Sequence, residues 1–184
     1  MKSQGEFSRL RVVFTSIIAL CVAVVVAYKY MYPFGHRSCT IPCMHSALLA
    51  YASEHYGNFP DSNKGSYDAL QKLYPEFSAA GIELAGISGD TEAVVAALSR
   101  QTSLNQSLTS WVYLQGFKND DDPNIAILWE SRGGLYPNGR RNFFGDHAVL
   151  FIGGVITNIP AADWENFMKQ QEKLRSAAQA HRRK

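Results

Sequence analysis

The chain has 184 residues, 46% of them hydrophobic, and a net charge of +2. That apolar share is a globular one and excludes a disordered tether. The charge is small and its basic residues sit mostly at the two ends, with no basic stripe interleaved with aromatics. Nucleic acid is therefore not an expected partner.

From Val12 to Ala27 there is no charge, no Pro and no Gly. A helix rises about 1.5 Å per residue, so about 20 residues cross the roughly 30 Å hydrocarbon core. Residues 12–32 are thus expected to be a transmembrane anchor with the lipid bilayer as partner. A buried core helix fits poorly, because no face of the run is polar. Lys29 lies near the far end, where its ammonium can snorkel, and Tyr28, Tyr30 and Tyr32 are amphipathic rings suited to the interface. The basic start (Lys2, Arg9, Arg11) and the small-residue end Val25-Val26-Ala27 also fit a cleaved signal peptide. The length of the run favours an uncleaved single-pass anchor. The positive-inside rule then makes residues 1–11 a cytoplasmic stub and residues 33–184 an extracytoplasmic domain. About 150 residues suffice for one core.

Pro33-Phe34-Gly35 should break the helix. Of the three cysteines, Cys21 lies in the anchor and reads as a small hydrophobe. Cys39 and Cys43 lie just outside, in an oxidising compartment, and their spacing allows Cα atoms about 6 Å apart, near disulfide range. A disulfide leads, with free thiols second and a metal site with His36 and His45 third. Haem attachment would need His directly after the second Cys, and Met44 stands there.

Thr40 or Ile41 can cap a second helix, with Pro42 in its first turn. Met44, Ala47, Leu48, Tyr51, Ala52 and His55 give it an apolar face to about Glu54, and Gly57-Asn58-Phe59-Pro60 closes it. Ser66 is expected to cap a short helix, Tyr67 to Leu73, stopped by Pro75. Asp90 or Thr91 should cap another, Glu92 to Gln101, with Val94, Val95 and Leu98 inward. From Ser110 the pattern changes to short β-branched and aromatic runs: Trp111–Leu114, Ile125–Trp129 and Ala148–Ile152. Gly153-Gly154 before Val155-Ile156 reads as a tight hairpin. A final helix begins at Asp163, with Trp164, Phe167, Met168 and Leu174 on one side, and runs into the basic tail His181 to Lys184. Helices first and antiparallel strands after argue for an α+β fold: amphipathic helices on a small antiparallel sheet, with a C-terminal helix.

Three segments carry a resemblance: MHSALLAYASEHYGNFPDS, WVYLQGFKNDDDPNIAILWE and HAVLFIGGVITNIPAADWENFMK. Together they resemble the first soluble helix, the central strands with their Asp-Pro loop, and the closing hairpin and helix of pseudopilin-like proteins of type II secretion and type IV pilus systems, in the expanded form with a His-x9-Asp-Gly motif. The chain departs from that family at the prepilin cleavage site, where Val13 and Ile18 stand for its Gly and Glu. It departs again in the hairpin motif, where Gly153 and Val155 replace Asp and His and Phe143 replaces the upstream His. The resemblance implies an inner-membrane protein with its domain in the periplasm. It would act without catalysis as a structural or accessory component beside pilin-like subunits or secretion machinery.

The resemblance also raises calcium, which major pseudopilins hold in a loop of the sheet domain. Asp120, Asp121 and Asp122 offer hard oxygen ligands, although their spacing matches no calcium-loop pattern and acidic turns are ordinarily solvated. Otherwise no cofactor is expected. Asp146 and His147 with Glu130 could form a His–carboxylate pair for acid–base work, against the blander reading of a hydrogen-bonded turn. No nucleophile elbow, zinc motif, phosphate loop or dinucleotide fingerprint occurs, and no residue is assigned a catalytic role. Trp111, Trp129 and Trp164 read as core rather than a ligand platform. Arg140-Arg141 and the Arg182 to Lys184 tail read as solvated charge, with contact to anionic headgroups or an acidic partner second. A membrane-tethered binding module for glycan or peptide is the alternative function, and a hydrolase built on Asp146 and His147 the third.

Overall fold

A computed structural model describes residues 3–37 and 40–182. The first element, α1 (Ser3–Met31), is one unbroken helix. Its segment Arg11–Met31 is long and apolar enough to cross a membrane, and none of it is buried against the rest of the chain. Apolar side chains from Val12 to Val26 are exposed all around the rod. A helix of a water-soluble head would hide one stripe and show water the other.

The break after α1 falls where Pro33 and Gly35 predict it. Tyr32 makes the last helical bond, to the Tyr28 carbonyl at 2.8 Å, and the Gly35 amide turns back on the Tyr32 carbonyl at 3.0 Å. The next helix, α2 (Thr40–Glu54), buries Ile41, Met44, Ala47, Leu48, Tyr51 and Ala52, the apolar face expected from the spacing. Thr40 and Ile41, expected at the cap, are instead helical and buried, so packing rather than capping selects them. The Gly57 amide closes the end on the Ala52 carbonyl at 2.8 Å.

A short helix, α3 (Ser66–Gln71), follows with Gly65 at its cap. Ser66, expected to be that cap, is already inside the helix, and α3 ends before the expected Leu73. An unforeseen 3₁₀ turn at Ile82–Ala85 buries Leu84 and Ala85. In α4 (Thr91–Ser99) the cap is Asp90 as expected, its carboxylate accepting from the Ala93 amide at 3.0 Å. Val94 and Leu98 face in, but Ala97 is buried where Val95 was expected.

The strands β1 (Trp111–Tyr113), β2 (Ala126–Glu130), β3 (His147–Phe151) and β4 (Ile156–Ile159) form an antiparallel meander in the order 1-2-3-4. The β3–β4 hairpin turns at Gly153-Gly154 as read from the sequence: Gly154 donates to the Phe151 carbonyl and adopts φ +79°, a conformation side chains disfavour. Trp111 pairs with Glu130, Leu128 with Leu150 and Trp129 with Val149. Side chains alternate across a strand, so this register sorts the sheet into two faces. Trp111, Tyr113, Leu128, Ala148 and Leu150 join the core formed with α2, α3 and α4. Val112, Trp129, Val149 and Phe151 form a second, smaller cluster with Trp164, Phe167 and Met168 of α5 (Trp164–Arg182). The fold is α+β, a sheet with helices on both faces, and all three tryptophans pack within it rather than forming a platform.

A register shift between Ala126 and Leu128 bends β2 and takes its first amide out of the ladder. Gln171 of α5, almost fully buried, accepts from that Ala126 amide at 2.8 Å and donates to the Asn124 carbonyl at 3.1 Å. Replacing it by an apolar residue leaves the buried Ala126 amide unpaired, at a cost of about 1–3 kcal/mol, and frees the carbonyl of the exposed Asn124 to water. Gln171→Leu should therefore lower the urea midpoint of the full chain in detergent by an amount equivalent to roughly 1–3 kcal/mol, with unchanged far-ultraviolet circular dichroism before unfolding.

Candidate functional site at the junction of rod and head

The last carbonyls of any helix lack intrahelical partners. In α1 they find them in the loop joining β2 to β3. Arg141 donates its main-chain amide to the Met31 carbonyl at 2.7 Å and its Nε to the Tyr30 carbonyl at 3.1 Å. Its guanidinium also lies 4.9 Å from the centre of the Tyr30 ring. A cation at a helix C-terminus is favoured by the dipole, and here it is also hydrogen-bonded. The expectation of solvated charge suits the exposed Arg140 but not Arg141, which locks rod to head.

Neighbouring contacts widen that lock. The Arg37 amide donates to the Asn138 carbonyl at 2.9 Å, and Arg132 lies 5.9 Å from the Phe34 ring. Gly139 permits the approach, since a Cβ there would sit 2.6 Å from the Gly35 carbonyl oxygen. Farther along, Arg37 donates to the Thr91 hydroxyl and, at 3.0 Å, to the Gly89 carbonyl. Clefts of about 270 Å³ and 340 Å³ flank this junction. The first is lined by His36, Arg37, Thr40, Cys43 and Glu83, the second by Phe34, Ser88, Asp90, Ser110 and Arg132.

Beneath the second cleft lies Glu130, fully buried at the end of β2. One carboxylate oxygen accepts from the Ile87 amide at 2.9 Å and the Ser110 hydroxyl at 2.8 Å; the other accepts from the Ser88 hydroxyl at 2.5 Å. Burial pushes its pKa up, and the hydroxyls and amides that favour the anion only partly offset this. Chemically this is a bracket: one side chain ties the 87–88 segment and the start of β1 to the edge of β2. The serine hydroxyls donate into the carboxylate, so their protons are committed to it.

Glu130 and His147 are not brought together. Trp129 faces α5, which places Glu130 on the α2–α4 face, while His147 stacks on Trp164 of α5 at 3.9 Å. Asp146 accepts from the Asn142 amide nitrogen at 2.8 Å. Burial lowers the His147 pKa, with the Glu130 carbonyl and the Asp146 carboxylate acting the other way. The acid–base trio suggested by the sequence is therefore divided by the sheet. The division parts the Glu130 carboxylate from His147, while Asp146 stays close enough to act on the imidazole.

The acidic loop is a hydrogen-bonded turn. Asp121 accepts from the Lys118 amide at 2.6 Å, and Asp122 accepts from Asn124 through its amide at 2.9 Å and its side chain at 3.0 Å. Asp120 is exposed beside them. Two of the three carboxylates thus aim at their own backbone rather than at a shared point. Among the described residues, no three His, Cys, Asp or Glu groups gather to hold a metal ion. As arranged, this donor set does not fit calcium. Cys43 is disulfide-bonded, Cys21 is a free thiol on the exposed face of α1, and Cys39 lies outside the described residues.

Comparison with protein-family models, with curated proteins and with solved structures finds no match.

Glu130 gives the head a specific pH dependence. The folded chain keeps a proton that an unfolded carboxyl has already released, so stability is greatest below the ordinary carboxylate range. It then falls as pH rises through that range to the raised pKa. Glu130→Gln should flatten this slope in denaturation measured across mildly acidic to neutral pH. Glu130→Ala should cost roughly 2–4 kcal/mol at acidic pH, because the Ile87 amide loses its acceptor, and the difference should narrow as pH rises toward neutral.

Proposed function

We propose that this chain is a membrane-anchored, non-catalytic, pseudopilin-like structural or accessory component of a secretion- or pilus-type system. Residues 1–11 lie in the cytoplasm, α1 crosses the inner membrane, and the head works in the periplasm. The observation that carries this reading is the hydrogen-bonded lock of Arg141 on the last turn of α1. An anchor that serves only as a leash needs no fixed angle to its domain. A subunit that packs through its rod needs the rod and head to move as one body. The long apolar rod followed by an α2-packed antiparallel sheet supports this reading, while the break between α1 and α2 at Pro33–Gly35 departs from the continuous helix of a pilin.

Fractionation, N-terminal mapping and cross-linking test it together. The intact chain should be recovered with inner membranes, its apolar segment retained. A photoactivatable residue at Val22 should yield adducts with pilin-like subunits. Recovery of the whole chain in the water-soluble cytosolic extract, or adducts with lipid alone, overturns the assignment.

A second reading, a tethered binding module for glycan or peptide, is favoured by one feature. At the far end of α2 a cleft of about 300 Å³ is lined by Tyr51, His55, Tyr56 and Phe59 with Glu54 and Asp61. The Tyr51 and His55 rings stack at 3.7 Å, and Tyr56 is almost wholly exposed. If this cleft binds such ligands, Tyr56→Ala should abolish retention on immobilised glycan or peptide with no change in stability. Equal retention of both forms counts against it.

A further inference from the structure

The loop that locks α1 also carries the largest exposed aromatic pair of the head. Phe143 is 64% and Phe144 80% exposed. They are not displayed by slack chain. Asn142 between them and Arg141 is only 3% exposed. Its side chain accepts from the Phe144 amide at 2.9 Å and donates to Asp146, while its own amide donates to the Gly134 carbonyl at 2.8 Å. The Gly134 amide in turn donates to the Asp146 carbonyl at 2.9 Å. A braced turn thus holds two phenylalanines outward, where water gives them no partner.

Their position indicates what meets them. Phe143 packs on Tyr30 with ring centres 6.2 Å apart, and Tyr30 lies within the candidate span Arg11–Met31. Any bilayer that takes in that span brings Phe143 to the depth of its tyrosine ring. Arg141, two residues before Phe143, lies 4.9 Å from the centre of the same Tyr30 ring, and Arg140 precedes it in the loop, so positive charge stands beside the pair.

From this continuity we propose that the β2–β3 loop is a second membrane contact. Phe143 and Phe144 insert into the headgroup–acyl boundary beside α1, and the surrounding arginines face anionic lipid. The contact stands beside the lock described above and limits the tilt of the head against the bilayer, because a foot beside the end of the rod holds that side of the head at the headgroup level. The inference rests on α1 spanning the membrane.

The test uses the full chain in vesicles of phosphatidylcholine and phosphatidylglycerol in equal parts. An environment-sensitive fluorescent amino acid replaces Phe144, Asp120 or Val24, one at a time. Asp120 serves as the aqueous control, because the 118–124 turn lies at the opposite end of β2 from the 131–146 loop. Val24 reports the span. Lipid-borne quenchers placed just below the headgroups should dim the probe at 144 several-fold more than at 120, with a blue-shifted emission at 144. The probe at 24 should respond to quenchers deep in the acyl region. Deep quenching at 24 with an aqueous signal at 144 overturns the foot and leaves the anchor standing. An aqueous signal at 24 overturns the anchor and the foot with it. A signal at 144 that turns apolar only when a second protein is added assigns the pair to a protein partner and also overturns the proposal. Both exposed sites tolerate substitution, and unchanged tryptophan emission of each variant certifies the fold.

Discussion

A long apolar helix must end somewhere, and its final carbonyls must find donors. The rest of this structure is arranged around how that requirement is met. Water could supply the donors, and so could a capping glycine. Here they come from Arg141, a residue 111 positions away from its partner Tyr30. A helix end satisfied by its own folded domain ties the direction of the rod to the orientation of the sheet. The loop that makes this tie is itself strung between β2 and β3, the two central strands, so any force on the rod is delivered to the middle of the sheet rather than to an edge.

The buried carboxylate belongs to the same arrangement. Glu130 ends β2 just before that loop begins, and it gathers Ile87 and Ser88 from a segment with no strand of its own and Ser110 from immediately before β1. An ionisable group is an expensive fastener, because burial disfavours its charge. What it offers in return is several acceptor positions on one side chain, enough to pin the stretch after the 3₁₀ turn to the sheet. Gln171 solves the same problem at the other end of β2 with a neutral amide. Both ends of the central strand are therefore held by side chains, and only its middle is held by ladder bonds and apolar packing.

Much of this was legible from local pattern. The spacing of Met44, Leu48, Tyr51 and Ala52 marked a helix and its inward face because a helical period repeats within a few residues. Gly153-Gly154 marked the hairpin because the turn demands a backbone that glycine adopts. The misreadings at Thr40, Ser66 and Val95 share one cause. Each is a residue whose local preference was outweighed by what it packs against, or whose neighbour, such as Gly65, took the capping place. The pairing of Glu130 with His147 failed for another reason: both sit at strand ends, but strand register put them on opposite faces.

The sequence by itself determined the apolar rod, the break after it, the helical and strand periods, the hairpin and so the α+β class, since each depends on residues close together in the chain. Only the tertiary structure decided that Arg141 would close the rod, that Glu130 would bracket the head, and that Phe143 and Phe144 would stand beside Tyr30. Those contacts join residues tens to more than a hundred positions apart, and no local preference of an arginine, a glutamate or a phenylalanine names its partner. The partner is chosen when the sheet's register and the course of its loops bring an unpaired group within reach.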